Sequence, residues 1–406
     1  MRGGARTVRA VIDDFSPSLP IDMLDRDFYA GDPFPTYAWM REHTPVYWDD
    51  ARQLWAVMLY DDVLTVEKQP ELFCNVQGYR PNTPADGSMI SQDDPQHKAQ
   101  KRYVMKGFTP RAVAAKEDHV RSIVTTLIDE IAPTGGCDLV SQLAAPLPMI
   151  LIAEYLGAPL EDCDTLQSWS DAVIGGADGP ENVTDDVVNA HMAFVVYALE
   201  LMEKRKAEPG SDLLSLLVHE EIGGERLSED AIVSEALLLL VGGNETTRNV
   251  ISGGLEVLMR NPDQRRRLID DPSLIPVAVE ECLRWVTPIL SFRRTATADV
   301  ELRGQRIRAG DQVLNMYASA NRDPAVFEQP EQLDVARNPN PHLAFGFGPH
   351  FCLGAQLARL ELRVMLEEVL RRLPDMRLAS DAPITRSHSS FIRGVHHMPV
   401  EFTPTT

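Results

Sequence analysis

The stretch from Ser228 to Arg260 constrains this chain more than any other. Ser228 has the character of a helix N-cap, and acidic Glu229 and Asp230 follow where a first turn has free N–H groups. From Ala231 to Val241 the residues are apolar nearly all round, which marks a helix buried on most sides. At ~1.5 Å per residue such a helix spans roughly 50 Å, so the rest of the fold must wrap around it. The segment Leu240-Val-Gly-Gly-Asn-Glu-Thr-Thr-Arg-Asn249 then breaks the pattern. Two glycines cost ~1 kcal/mol each in a helix interior, and Asn244, Glu245, Thr246 and Thr247 interrupt an otherwise apolar face. The expectation is a local distortion or a ligand groove; the competing reading is a crossing point where another helix packs on the glycines.

Other helical patterns start at Asn261-Pro262, run from Pro276 to Val286, and span Leu353 to Leu373. Strand signals are few. Pro45–Trp48 and Leu54–Leu59 flank a polar turn and read as a hairpin; Val300–Leu302, Ile307 and Gln312–Tyr317 read as another small sheet. Gly175–Pro180 reads as a mobile loop between helices. The chain is expected to be mainly α, with a helix-rich body and small β-sheets: residues 1–20 form a tail and residues 21–406 a single domain.

Charge excludes several function classes. With 39 basic against 60 acidic residues the formal net charge is −21, which repels nucleic acid and anionic membrane surfaces. No run of about 18 apolar residues occurs, and the run Ala236–Val241 is only six residues, so no bilayer span is expected. The five cysteines (Cys74, Cys137, Cys163, Cys282 and Cys352) include no CxxC pair. A disulfide framework or structural zinc is not expected, and the chain reads as reduced and cytoplasmic.

One cysteine stands in an informative loop, His342-Leu-Ala-Phe-Gly-Phe-Gly-Pro-His-Phe-Cys-Leu-Gly-Ala-Gln-Leu-Ala-Arg359. Gly346 and Gly348 permit tight turns and close approach to a flat ligand. Cys352 lies just before a helix, where free amides and the positive dipole end would stabilise a thiolate and depress its pKa. Gly354 removes bulk beside it. A lone cysteine is more often a small buried hydrophobe. The pattern Phe345-x-x-Gly348-x-His350-x-Cys352-x-Gly354 points instead to a thiolate ligand of heme iron.

The loop resembles the heme-binding signature of the cytochrome P450 family, and the resemblance extends from the hairpin near residue 45 to the C-terminus. It implies a P450 fold, heme b (iron protoporphyrin IX) held by Cys352, and monooxygenase activity with O2. Phe345 and Gly354 fall in the same signature. Glu281 and Arg284, alone an ordinary i, i+3 surface pair, match the family's structural E-x-x-R. The Gly243-to-Asn249 stretch resembles the oxygen-activation segment, with Glu245 as acid and Thr246 as alcohol delivering protons. Glutamate stands where many members have aspartate.

Heme propionates need cations. Between Gln96 and Lys116 there are six Lys/Arg and no acid. By resemblance His97 and the residue four later bind a propionate; that residue is Lys101 here, with Arg102 next, and the choice between them stays open. Arg294 and His350 match the remaining propionate ligands. Lys98, Lys106 and Arg111 are available to an acidic electron donor.

Matching segments place a substrate wall at Val76, Met89, Ile90, Val173, Leu239, Gly242, Val286, Ile289 and Phe292, which suits an apolar molecule. The strings Gly243–Asn249, Lys106–Arg111 and Asn338–Phe345 look most like actinobacterial members that hydroxylate steroid side chains, at the terminal methyl of cholesterol or cholest-4-en-3-one. A terpenoid, fatty acid or macrolide is the alternative substrate. A non-enzymatic heme-based ligand sensor is the alternative class, which the Glu245-Thr246 pair disfavours. With no flavin or nicotinamide segment in view, electrons are expected from a ferredoxin and its reductase, and the protein is expected to be a monomer.

Overall fold

The computed structural model describes residues 15–222 and 224–405. The tail expected over residues 1–20 therefore lies mostly outside the described residues. The central helix runs Glu229–Arg260, 32 residues without interruption, and Ser228 caps it by accepting from the Ala231 amide at 3.2 Å. Its two ends carry Glu229 and Asp230 first and Arg260 last, the arrangement the helix dipole favours. Around it pack the helices Pro146–Leu156, Cys163–Gly175, Asp185–Ala207, Ile275–Val286 and Ala355–Arg372.

The expected distortion at the two glycines is not a break. The helix continues, and the two glycines divide the labour. A Cβ on Gly243 would run into the side chain of Ile152 on Pro146–Leu156, so the crossing-point reading holds there. A Cβ on Gly242 would meet nothing within 4 Å.

The strands in chain order are β1 (Val46–Asp49), β2 (Leu54–Val57), β3 (Phe73–Cys74), β4 (Gly136–Asp138), β5 (Ser291–Ala296), β6 (Val300–Leu302), β7 (Gln305–Ile307), β8 (Gln312–Met316), β9 (Arg377–Leu378) and β10 (Pro399–Glu401). The hairpin β1–β2 forms as expected. The second expected sheet does not form as one unit. β6 pairs only with β7, whereas β8 lies parallel to β2 and antiparallel to β5, giving a five-stranded sheet ordered β1-β2-β8-β5-β3. The buried run Val313–Met316 fits an interior strand, not a surface ribbon.

Glu281 and Arg284 are wholly buried and tie three segments together. Arg284 also donates to the carbonyls of Asn321 (3.0 Å) and Pro330 (2.9 Å), while Arg337 Nε (3.0 Å) and the Asp334 amide (3.0 Å) donate to Glu281. Gly175–Pro180 is not the free loop expected from its composition. Asp178 is buried there, and its Oδ1 accepts from Ser389 Oγ, Ser390 N and Phe391 N, pinning the loop to the C-terminal segment.

Candidate active site

The cysteine loop closes on itself before its helix begins. The Cys352 amide donates to the Phe345 carbonyl at 3.0 Å. Gly346 and Gly348 have φ of +68° and +71°, which only glycine adopts without strain, and a Cβ on Gly348 would stand 2.6 Å from the Glu67 carbonyl. Phe345 lies beneath the Arg359 guanidinium at 4.7 Å. Gly354 is the N-cap of Ala355–Arg372, and a Cβ there would meet nothing.

Cys352 is open to solvent, yet it is surrounded deeply enough that burial raises its thiol pKa. Both hold when the sulfur lines an interior space. The amides of Gly354 and Ala355 and the cations Arg359 and Lys101 pull the other way and do not win. The shift therefore runs opposite to the depressed thiol pKa expected from the sequence, because burial outweighs the helix end.

A polar rim meets this loop. The rings of His97, on helix Gln96–Val104, and His350 lie 4.1 Å apart. Burial, then Arg294, His97 and Lys101, push His350 down to about 2, so its ring is neutral. Lys101 reaches the loop, with Nζ 2.5 Å from the Pro349 carbonyl; Arg102 is exposed. Of the two cations left open by the sequence, the structure brings Lys101 to the rim. Arg294, on β5, is buried and donates through Nη2 to both Glu67 oxygens at 2.9 Å. Sequence reasoning missed Glu67: it sits in an ordinary amphipathic helix, Tyr60–Glu67, and nothing local marks it.

On the central helix, Thr246 Oγ1 donates to the Gly242 carbonyl at 2.6 Å. Gly242 is exposed although its helix crosses the core, and Leu238 and Thr246, four residues to either side, are partly open. This face borders an interior space. Leu239 instead belongs to the buried core. Helical spacing of four from Thr246 would have selected Leu238. Glu245 points away from that face. Its carboxylate accepts from Arg248 Nη2 at 2.6 Å, and Arg248 Nη1 reaches Asp171 at 3.0 Å. Burial raises the Glu245 pKa; Arg248 opposes this and Asp171 adds to it.

The expected wall residues divide. Phe292 and Ile289 join Tyr79, Ile174, Phe391 and Ile392 in one apolar cluster. Tyr79 and Ile174 come from the segments expected to form the wall, Val76–Ile90 and Ala172–Phe194; Phe391 and Ile392, from the C-terminal segment, were missed because no local signal ties that segment to the site. Met89 is buried, its amide held by Glu235 at 2.6 Å; Ile90 and Val173 are partly open and Val76 is half exposed. Val286 packs against Gly253 and lines a different cavity of about 670 Å³, between the C-terminal half of the central helix and residues 381–395. That cavity contains none of Cys352, His97, Lys101 or Thr246, and its Glu256 is already paired with Arg260 and Arg386. The chemistry belongs to the cysteine loop, not to this cavity.

A heme fits the residues present. The sulfur faces an interior space, small residues leave room at Gly354 and Gly242, and the rim of His97, Lys101, His350 and Arg294 supplies donors for carboxylates.

The chain belongs to the cytochrome P450 family. The family's sequence model, Cytochrome P450, matches residues 179–374. Among curated relatives, a steroid C26-monooxygenase of Mycolicibacterium smegmatis is 45% identical over 387 residues, 95% of this chain and 96% of the relative. A methyl-branched lipid omega-hydroxylase of Mycobacterium bovis is 39% identical, covering 95% and 96%. Among solved structures, a Mycobacterium marinum cytochrome P450 in complex with pseudoionone superposes with TM-score 0.88 at 35% identity, covering 96% of this chain and 100% of that one. A Bacillus megaterium P450 in complex with testosterone gives 0.86 at 35% identity, covering 92% and 98%. The protein is thus a P450 monooxygenase, and the family's heme b is held by a cysteine thiolate.

Proposed function

We propose that this P450 hydroxylates the terminal methyl of a steroid side chain, with cholesterol or cholest-4-en-3-one as substrate. The observation that carries this reading is the 45% identity to a steroid C26-monooxygenase over nearly the whole of both chains. The methyl-branched lipid omega-hydroxylase points to related chemistry, attack at the end of a branched alkyl chain. An apolar cluster of Tyr79, Ile174, Phe292 and Phe391 supports an apolar substrate.

Cys352 would ligate the iron, and His97, Lys101, His350 and Arg294 would hold the propionates. Bound there, heme supplies dioxygen activation and insertion of one oxygen into an unreactive C–H bond. The protein's own part is proton supply and orientation. Thr246 presents a hydroxyl beside Gly242 on the open face, where it donates a hydrogen bond to the Gly242 carbonyl. Glu245, one residue earlier, is a carboxyl that burial biases toward its protonated form, as a general acid requires. To reach the open face it must leave Arg248, so Arg248 and Asp171 hold it in reserve.

Electrons come from a ferredoxin. Lys98 and Arg111 are exposed, Lys106 is exposed but paired with Glu220, and Lys101 reaches the Phe351 carbonyl at 3.4 Å; with Phe351 and Met105 42% and 48% exposed, these cationic and apolar groups suit an acidic donor. We place the protein in the cytoplasm as a monomer. No described helix is long and apolar enough to cross a membrane, and its cysteines are free.

The test is turnover of cholest-4-en-3-one with a reconstituted ferredoxin and reductase. The expected product is the terminally hydroxylated side chain. If no steroid perturbs the heme spectrum while a fatty acid or terpenoid does, the substrate proposal fails.

A further inference from the structure

Arg294 is not a free cation. Both oxygens of Glu67 accept from its Nη2 at 2.9 Å, Asn315 Nδ2 donates to Glu67 Oε1 at 2.8 Å, and the Tyr317 hydroxyl donates to the same oxygen. The Glu67 side chain thus accepts from three separate groups. Glu67 and Arg294 are 4% exposed and Tyr317 is 2% exposed, so their charges act with little screening.

The cluster lies against the cysteine loop. The backbone carbonyl of Glu67 lies 2.6 Å from where a Cβ of Gly348 would stand, and the Tyr317 hydroxyl 3.9 Å from where a Cβ of Gly346 would stand. Glu67, Tyr317 and Arg294 therefore form one hydrogen-bonded cluster against the loop that carries His350 and Cys352, at the edge where the propionates would be held.

We propose that Glu67 is a positioning residue for the heme: it fixes the Arg294 guanidinium and offsets its charge, and so makes the bound heme harder to reduce. This rests on the placement of heme beside Cys352. A buried carboxylate near the propionate edge favours the ferric form, which carries one more positive charge than the ferrous. It also leaves Arg294 shared between two carboxylates, so the remaining attraction for that propionate falls more heavily on Lys101, His97 and His350.

The test is potentiometric titration of the heme-loaded protein, with the ferrous-carbonyl Soret band recorded on every variant. Glu67→Gln keeps the shape and removes the charge. The midpoint potential is expected to move to a more positive value, the shift is expected to survive high salt, and the thiolate-type Soret band is expected to stay. An unchanged or more negative potential overturns the proposal. Tyr317→Phe is the second variant: it strips one donor from Glu67 and leaves more uncompensated negative charge, so its potential is expected to move the opposite way. Should Glu67→Gln fail to take up heme, Tyr317→Phe decides, and an unshifted potential there overturns the proposal. Loss of the thiolate-type band in the parent protein would instead refute the heme site itself, whatever the potentials do.

Discussion

Arg284 donates through Nε and Nη2 to the two carboxylate oxygens of Glu281, each at 2.8 Å, and neither side chain touches solvent. A buried pair of this kind is not a source of net stability over an apolar pair, but losing one partner strands the other. Glu281→Ala is expected to cost about 3–5 kcal/mol, enough to remove much of the stability of a typical domain. Arg284→Ala should cost at least as much, because the Asn321 and Pro330 carbonyls lose their donor too. Chemical denaturation of the variants checks this; a loss below about 1 kcal/mol, the scale of a surface pair, would contradict it.

The neighbouring glycines of the central helix should respond in opposite senses. Gly242→Ala adds a methyl where nothing stands and improves helix propensity, so stability is expected to rise by up to about 1 kcal/mol. The same methyl narrows the open face, so substrate-induced spectral change should weaken. Gly243→Ala drives a methyl into Ile152 and is expected to destabilise by about 1–3 kcal/mol, with partial rescue by Ile152→Val. Thermal melts and substrate titrations of the variants separate the two roles.

Thr246→Ala removes the hydroxyl that faces the open side of the helix at Gly242. Electron consumption is expected to continue while product per electron falls several-fold. Measuring reductant oxidised against steroid hydroxylated tests this, and unchanged coupling would show that protons take another route.

Glu361 gives a pH prediction with a defined sign. Burial alone raises its pKa from 4.5 to about 8, and its Oε2 has no hydrogen-bond partner. The native state keeps a proton that the unfolded chain loses once pH exceeds 4.5, so stability falls as pH climbs from there to about 8. Glu361→Gln has no such proton to lose. It is expected to match the parent near about pH 5 and to exceed it by on the order of a few kcal/mol at about pH 8. Parallel pH profiles of the two stabilities would refute this.

Much of this was legible in the sequence because the signals were contiguous. The Cys352 loop, the Glu281/Arg284 spacing and the Ser228 cap each lie within a few residues of one another. What stayed hidden was assembled across the chain. Glu67 meets Arg294 from 227 positions away and Tyr317 from 250, and no local periodicity carries such a pairing. Asp178 looked like part of a glycine-rich loop because its partners, Ser389 to Phe391, lie over 200 residues on. The misplaced β8 has the same origin, since a parallel partner such as β2 leaves no turn to read. The thiol of Cys352 failed in another way: the helix end predicted its direction of shift, but the depth of burial, which decides the sign, is a property of the finished fold.

The central claim is that the sulfur of Cys352 is the protein's bond to heme iron. The most direct measurement is the absorption spectrum of the reduced, carbon monoxide-bound protein, parent beside Cys352→Ser. The parent is expected to show the red-shifted Soret band of thiolate ligation and the variant to lose it. A variant that kept the band, or a heme-replete parent that never had it, would contradict the account.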